Sequence, residues 1–231
     1  MVTRGLSRDG LVSIAHQHVM AHGLDALTVR RVAAAAQVTP GALYKHFRDK
    51  RDLQRAMADA VYATIDLTDI DIAAPTVTQV ILCCQRTRAA MLGFRDGGRI
   101  VAGSYAPFAA TANLANTLRA LLQGVTRPQF DAGDIAFALR NYTTGFVIEE
   151  QAYLALASSG EWDSLVDALA PRDSDPTNGT SDGVAILTSN RDTRFLAGLT
   201  AILTGITDPP ITSPLPERGA IPASETRSRA R

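Results

Sequence analysis

Apolar residues recur along most of this chain at the three- and four-residue spacing of helices. Between residues 7 and 62 the pattern predicts four short ones. Leu11, Ile14, Ala15 and His18 share one side of the first; Ser7 is placed to cap its start and Gly23 to stop it. Val29, Val32, Ala33 and Ala36 line one face of a second, with Thr28 as its cap. Thr39-Pro40 is a cap followed by proline at the first helical position, where a missing N–H costs nothing. That third helix is short and ends near Phe47. Asp49 opens a fourth, with Asp52 in its first turn and Leu53, Ala56, Met57, Ala60 and Val61 at helical spacing.

A polar segment, Asp66 to Pro75, separates this head from a body that is also helical by its pattern. Val77, Val80, Ile81, Cys84 and Met91 mark one helix ending near Gly93. A short helix is expected over Gly98–Tyr105 and another over Phe108–Leu122. A long one, about Asp134 to Leu156, carries Ile135, Ala138, Leu139, Tyr142, Phe146 and Val147 on its apolar side. Pro171–Gly183 has the Asp, Ser, Gly and Pro content of a loop. The last helix carries Phe195, Leu196, Leu199, Ile202, Leu203 and Ile206. Prolines and arginines after Asp208 suggest a disordered tail. No alternating strand pattern interrupts this series. The expectation is an all-α chain: a head domain of short helices over 1–62, a larger helical domain over 63–207, and a tail over 208–231.

Charge sharpens the division. The chain is neutral overall, yet residues 1–62 hold nine Lys/Arg against five Asp/Glu, a net of +4. All four histidines and both lysines lie in the first 50 residues. A basic head on an acidic body suggests that only the head meets a polyanion. No run is long and apolar enough for a membrane span, and the N-terminus lacks the apolar stretch of a secretory signal. A cytoplasmic location is expected, with no membrane partner. The adjacent Cys83 and Cys84 form no ordinary disulfide framework and, within an apolar stripe, are expected to be core packing.

The most informative stretch is LTVRRVAAAAQVTPGALYKHFRDKRDL, from Leu27 to Leu53. Two helices meet across a tight Gln37-Val38-Thr39 turn, and the small residues Ala33 to Ala36 allow close packing. Leu43 and Phe47, four apart, must point inward, so Lys45 projects outward with Tyr44 and His46 beside it. This is the geometry of a recognition helix entering a major groove. The stretch resembles the TetR family of regulators. The resemblance implies backbone-phosphate contacts at Thr28, Thr39, Tyr44 and Lys50. It implies base contacts at Arg30, Gly41, Ala42 and Lys45, with Pro40 and His46 near base edges. Arg30 is the best chemical candidate for bidentate guanine recognition, with a phosphate clamp as its alternative.

The body is similar to the tetracycline-repressor branch of that family. Two segments carry this likeness, FRDGGRIVAGS from Phe94 and TGFVIEEQ from Thr144. It implies a homodimer in which the Asp134–Leu156 and Arg191–Thr207 helices form a four-helix bundle across a two-fold axis. The histidine with which the branch coordinates magnesium-bound tetracycline corresponds here to Val101. Other drug contacts fall at Asp66, Cys83 and Thr117, which are not the expected histidine, asparagine and glutamine. No metal or other cofactor is expected. Ser104 and Glu149 match the branch and are expected to orient a ligand, with Val101, Phe108 and Thr117 as its wall and Tyr105, Asn113 and Asn116 nearby. The alanine-rich, lysine-poor chain suits a GC-rich genome. A secondary metabolite or antibiotic, paired with an exporter or resistance gene, is the expected effector.

The rival is an all-helical enzyme or ligand carrier. It would need a catalytic constellation in the body, and only scattered carboxylates are found there. Gly179-Thr180-Ser181-Asp182-Gly183 matches a nucleophile elbow in letters alone, since it has no strand before it and no body histidine to act as base.

Overall fold

The computed structural model describes residues 7–169 and 190–207. Among them are ten α-helices, one short 3-10 turn and no strand, so the chain is all-α as expected. The helices are α1 (Arg8–His22), α2 (Val29–Ala35), α3 (Pro40–Tyr44), α4 (Lys50–Tyr62), α5 (Val77–Leu92), α6 (Gly97–Val101), α7 (Ala109–Val125), α8 (Ala132–Ser159), α9 (Glu161–Leu169) and α10 (Arg191–Thr204). The expected Pro171–Gly183 loop, its elbow-like sequence and the tail lie outside the described residues.

Local chemistry sets the head's boundaries. Each of its four helices starts on a side-chain oxygen that accepts a backbone N–H: Ser7 from Gly10 (3.1 Å), Thr28 from Arg31 (3.2 Å), Thr39 from Ala42 (3.3 Å) and Asp49 from Asp52 (2.7 Å). Each cap is worth about 1 kcal/mol. Gly23, at φ +78°, ends α1 as expected. In the body, α6 stops at Val101, four residues earlier than the sequence suggested, because Gly103 and Tyr105 turn into the left-handed region. Gly160 does the same after α8 and permits α9, which apolar spacing had not revealed.

The head does not have a core to itself. Its buried side chains, among them Leu11, Leu27, Leu43, Phe47, Leu53 and Met57, form one cluster with Met91, Ile100, Val101, Leu114 and Val147. Gly97 and Gly98 make the close approach of α6 possible. A methyl at Gly97 would sit 2.0 Å from the Met91 carbonyl oxygen, and one at Gly98 would sit 2.9 Å from Ile148. A second cluster joins Val80, Cys83 and Cys84 on α5 with Leu118, Leu121 and Leu122 on α7, Leu139 on α8 and Phe195, Leu199 and Leu203 on α10.

This second cluster accounts for the apolar stripe of α10 within one chain. Phe195, Leu199 and Leu203 are fully buried against α5, α7 and α8. A buried ion pair fixes the arrangement: Arg88 of α5 donates to both oxygens of Glu150 on α8 (2.6 and 2.8 Å) and to Asp192 on α10 (2.6 Å).

Polar ties join head to body. Asp96, itself at φ +58°, accepts the Leu24 N–H (2.8 Å) and the Arg99 guanidinium, which also clasps Asp25. Arg95 donates to the carbonyls of Met20 and Ala21 at the end of α1. Arg55 of α4 donates to the Ser104 carbonyl, and Asp59 accepts both the N–H and the hydroxyl of Thr111 at 2.7 Å.

Candidate nucleic-acid interface and body cavity

The α2–α3 unit closes around Gln37 at φ +56°, with the Val38 N–H bonded to the Ala33 carbonyl. Leu43 and Phe47 are fully buried, as their spacing requires. Thr28, Arg30, Thr39, Pro40, Gly41, Tyr44, Lys45 and Lys50 are all exposed, and Ala42 and His46 half-buried. The expected contact residues therefore form one outward surface. Arg30, Lys45 and Lys50 make no ion pair among the described residues, which leaves three free cations on it. The Thr28 and Thr39 hydroxyls accept their caps and keep a hydrogen to donate to phosphate.

Residues that support this surface escaped the sequence reading. Arg8 donates to the His46 carbonyl and to Asp52 (3.3 Å), and its guanidinium lies 4.4 Å over the Phe47 ring. Burial alone would push the Asp52 carboxyl up. The Arg48 N–H and the Arg8 guanidinium outweigh it and hold Asp52 below the usual carboxylate range. The end of α3 is thereby pinned to α1 and α4.

The body holds a cavity of about 230 Å³, open to solvent on one side, between the end of α4, α5, α7 and α8. Leu114, Ala115, Leu118, Ala136 and Phe137 make it largely apolar. Its polar groups are Tyr62, Thr87, Thr111, Asn116, Arg119, Arg140 and Thr143. Two of these carry buried atoms with no hydrogen-bond partner among the described residues, the Tyr62 hydroxyl and the Arg140 Nε.

Of the ten residues expected at a ligand site, Asn116 lines this cavity and the others stand elsewhere. Val101 is buried in the head-side core, and Phe108 starts α7 with its ring facing Arg8. Thr117 and Asn113 are on α7 but off the cavity wall. Ser104 is buried and offers its carbonyl to Arg55; Asp66 is exposed and caps Thr68. Cys83 is core, and burial pushes its thiol up to about 11 and that of Cys84 to about 12, so neither is a ready thiolate. Glu149 points outward on α8, while its neighbour Glu150 is the buried partner of Arg88. Tyr105 is 69 % exposed and stands near Arg140 outside the wall. A magnesium–tetracycline site does not fit these residues. The position that the resemblance gives to the metal-binding histidine is Val101, a buried side chain with no lone pair to offer.

A helix-turn-helix with a bare cationic face, packed on a helical body with a cavity between its helices, has the build of a DNA-binding transcriptional regulator. Comparison with known proteins agrees. Residues 11–57 match the family of bacterial regulatory proteins called the tetR family, and residues 77–209 match the tetracyclin repressor-like C-terminal domain. The chain is 31 % identical over 207 residues to the tetracycline repressor protein class C of Escherichia coli, covering 87 % of this chain and 90 % of that one. It is 38 % identical over 136 residues to the class A repressor from transposon 1721 of Escherichia coli, a match spanning 56 % of this chain and 60 % of the relative. A possible TetR family transcriptional regulator from Streptomyces coelicolor A3(2) superposes with a TM-score of 0.75 at 30 % identity, covering 86 % of this chain and 98 % of the other. The chain belongs to the TetR family and is a DNA-binding transcriptional regulator.

Proposed function

We propose that the protein is a repressor that binds a near-palindromic operator as a homodimer and leaves it when a small molecule enters the body cavity. The observation that carries this reading is the outward surface of Arg30, Tyr44, Lys45 and Lys50, with its cations free of protein partners. It works in the cytoplasm as a regulator and not as an enzyme. No helix among the described residues is long and apolar enough to cross a membrane.

Two heads must span successive major grooves about 34–36 Å apart. The dimer that would set this spacing pairs α8 and α10 with their copies in a four-helix bundle, through the face of α10 opposite Phe195, Leu199 and Leu203, where Ala197 and Ala201 are exposed. Ala138, Asn141, Gly145, Ala152 and Ala155 are exposed along α8 and small enough for a second copy to pack closely. Release follows from α4, whose last residue, Tyr62, lines the cavity while its first, Lys50, belongs to the DNA-facing surface. A ligand that prefers one position of Tyr62 shifts the population of head spacings by its differential affinity for them. The effector is expected to be an antibiotic or secondary metabolite and the regulated gene an exporter or resistance determinant. The names of the tetracycline-repressor relatives support that reading.

The test is fluorescence anisotropy with DNA from upstream of the protein's own reading frame. Specific binding should weaken steeply with salt as counterions are released. Arg30→Ala should cost about 1–3 kcal/mol and relax preference at one base pair, whereas Lys50→Ala should weaken all sequences alike. Equal affinity for scrambled DNA, or a flat salt response, would refute the proposal.

A further inference from the structure

The cavity also constrains the chemistry of what enters it. Arg119 on α7 and Arg140 on α8 both line it, and none of its lining side chains is acidic. The nearest acid on α4, Asp59, is already taken by the N–H and hydroxyl of Thr111. Arg140 makes no hydrogen bond or ion pair among the described residues. Its guanidinium carbon lies 5.6 Å from the centre of the Phe137 ring and 5.8 Å from that of Tyr105, which steady the charge without satisfying its N–H groups. The Tyr62 hydroxyl is the second unpaired group. Its residue is 3 % exposed, burial raises the hydroxyl's pKa so that it keeps its proton, and the positive charge of Arg140 is felt there. Leaving the Arg140 Nε and the Tyr62 hydroxyl buried without partners is costly, and a single anionic oxygen pair would satisfy both.

We infer that the effector is a metal-free organic acid: an apolar ring body against Leu114, Leu118 and Phe137, with a carboxylate received by Arg140 and Tyr62. This rests on the effector-released repressor reading above and names the chemical class of that effector. The cavity, at about 230 Å³, is smaller than the ~300–1,000 Å³ of drug-sized sites, so a compact ring system fits it best.

The test compares 2-naphthoate with its neutral isostere 2-naphthamide on the full-length protein, in buffer containing a chelator. Calorimetry should find the acid bound at least about ten-fold more tightly than the amide, since hydrogen bonds to charged groups are the stronger ones. Arg140→Gln should remove that preference, Arg140→Lys should keep part of it, and Tyr62→Phe should weaken the acid alone. Because Arg140 has no partner to lose, the ligand-free melting temperature should hardly change in Arg140→Gln. If that variant fails to fold, Arg140→Lys and Tyr62→Phe still carry the test. Equal affinity for acid and amide, no binding of the acid at millimolar concentration, or indifference to the Arg140 and Tyr62 changes would overturn the inference. A parallel operator-release assay separates the two levels. Release by 2-naphthamide but not by 2-naphthoate would overturn the acid class and uphold the repressor. Tight 2-naphthoate binding that leaves the operator complex intact would overturn the release mechanism and uphold the acid site.

Discussion

The head and the body handle polar groups in opposite ways. In α1 to α4 the helix-starting side chains are paired, the interior is apolar, and the free charges face outward on Arg30, Lys45 and Lys50. In the body, buried donors without partners remain among the described residues, two of them on the cavity wall, the Arg140 Nε and the Tyr62 hydroxyl. The difference follows from the size of the partner. A duplex is larger than the head and can be met only by a surface, with phosphates attracting cations that stay hydrated until contact. A small molecule can be surrounded, so its recognition groups gain by being buried before it arrives. Tyr62 belongs to both regimes, as the end of a head helix and part of a body wall.

The strongest way to break this comparison is to put a charge in the wrong interior. Leu199→Arg places an unpaired cation among Phe195, Leu203 and the α5 and α7 side chains, with none of the arrangements that accommodate Arg140. It should cost about 4 kcal/mol or more and abolish cooperative unfolding by circular dichroism. A variant that melts like the wild type but sediments as a monomer would place the α10 stripe itself in the dimer seam.

A smaller effect is expected where the two regions touch. His16 of α1 is held between the Met57 carbonyl (3.1 Å) and the Phe94 ring (4.6 Å). Burial lowers its pKa below the ordinary 6.5, outweighing the hydrogen bond to Met57. The unfolded chain therefore binds the proton more readily than the folded one, and stability should fall as pH drops through and below 6.5. His16→Gln should flatten that part of the melting-temperature profile. An unchanged profile would show that the contact between the regions is insensitive to this proton.

The smallest effect lies in the head alone. Gln37 holds a left-handed backbone that costs a side-chain-bearing residue about 1–2 kcal/mol. Glycine there should recover part of this, stabilising the protein by about 0.5–1 kcal/mol in urea titration, with operator affinity unchanged because Gln37 is not among the expected contacts. A loss of stability would mean that the Gln37 side chain contributes to the turn.

The parts legible in the sequence were those decided within a few residues. Ser7, Thr28, Thr39 and Asp49 cap helices because capping needs only the next three positions. The inward turn of Leu43 and Phe47 follows from their spacing. Periodicity also found the apolar face of α10, but it cannot say what covers that face, and the chain's own α5 and α7 do so. The cavity was illegible because four distant helices build it. Its one sequence signal was Arg140, a cation set between the apolar-face residues Leu139 and Tyr142. Glu149 and Glu150 are one helical step apart, and the ion pair of Glu150 with Arg88 was illegible because Arg88 reaches it from another helix.

The shared core has an evolutionary consequence. A recombination joint placed after Tyr62, where charge and composition change, would sever Leu11, Leu53 and Met57 from Ile100 and Val101, which complete their packing. It would also discard Asp96, which holds the Leu24 N–H. The heritable module that can change its operator while keeping its effector is therefore smaller than the head. It is the handful of exposed side chains on α2, α3 and the start of α4, which can vary one at a time without reaching the apolar cluster beneath them.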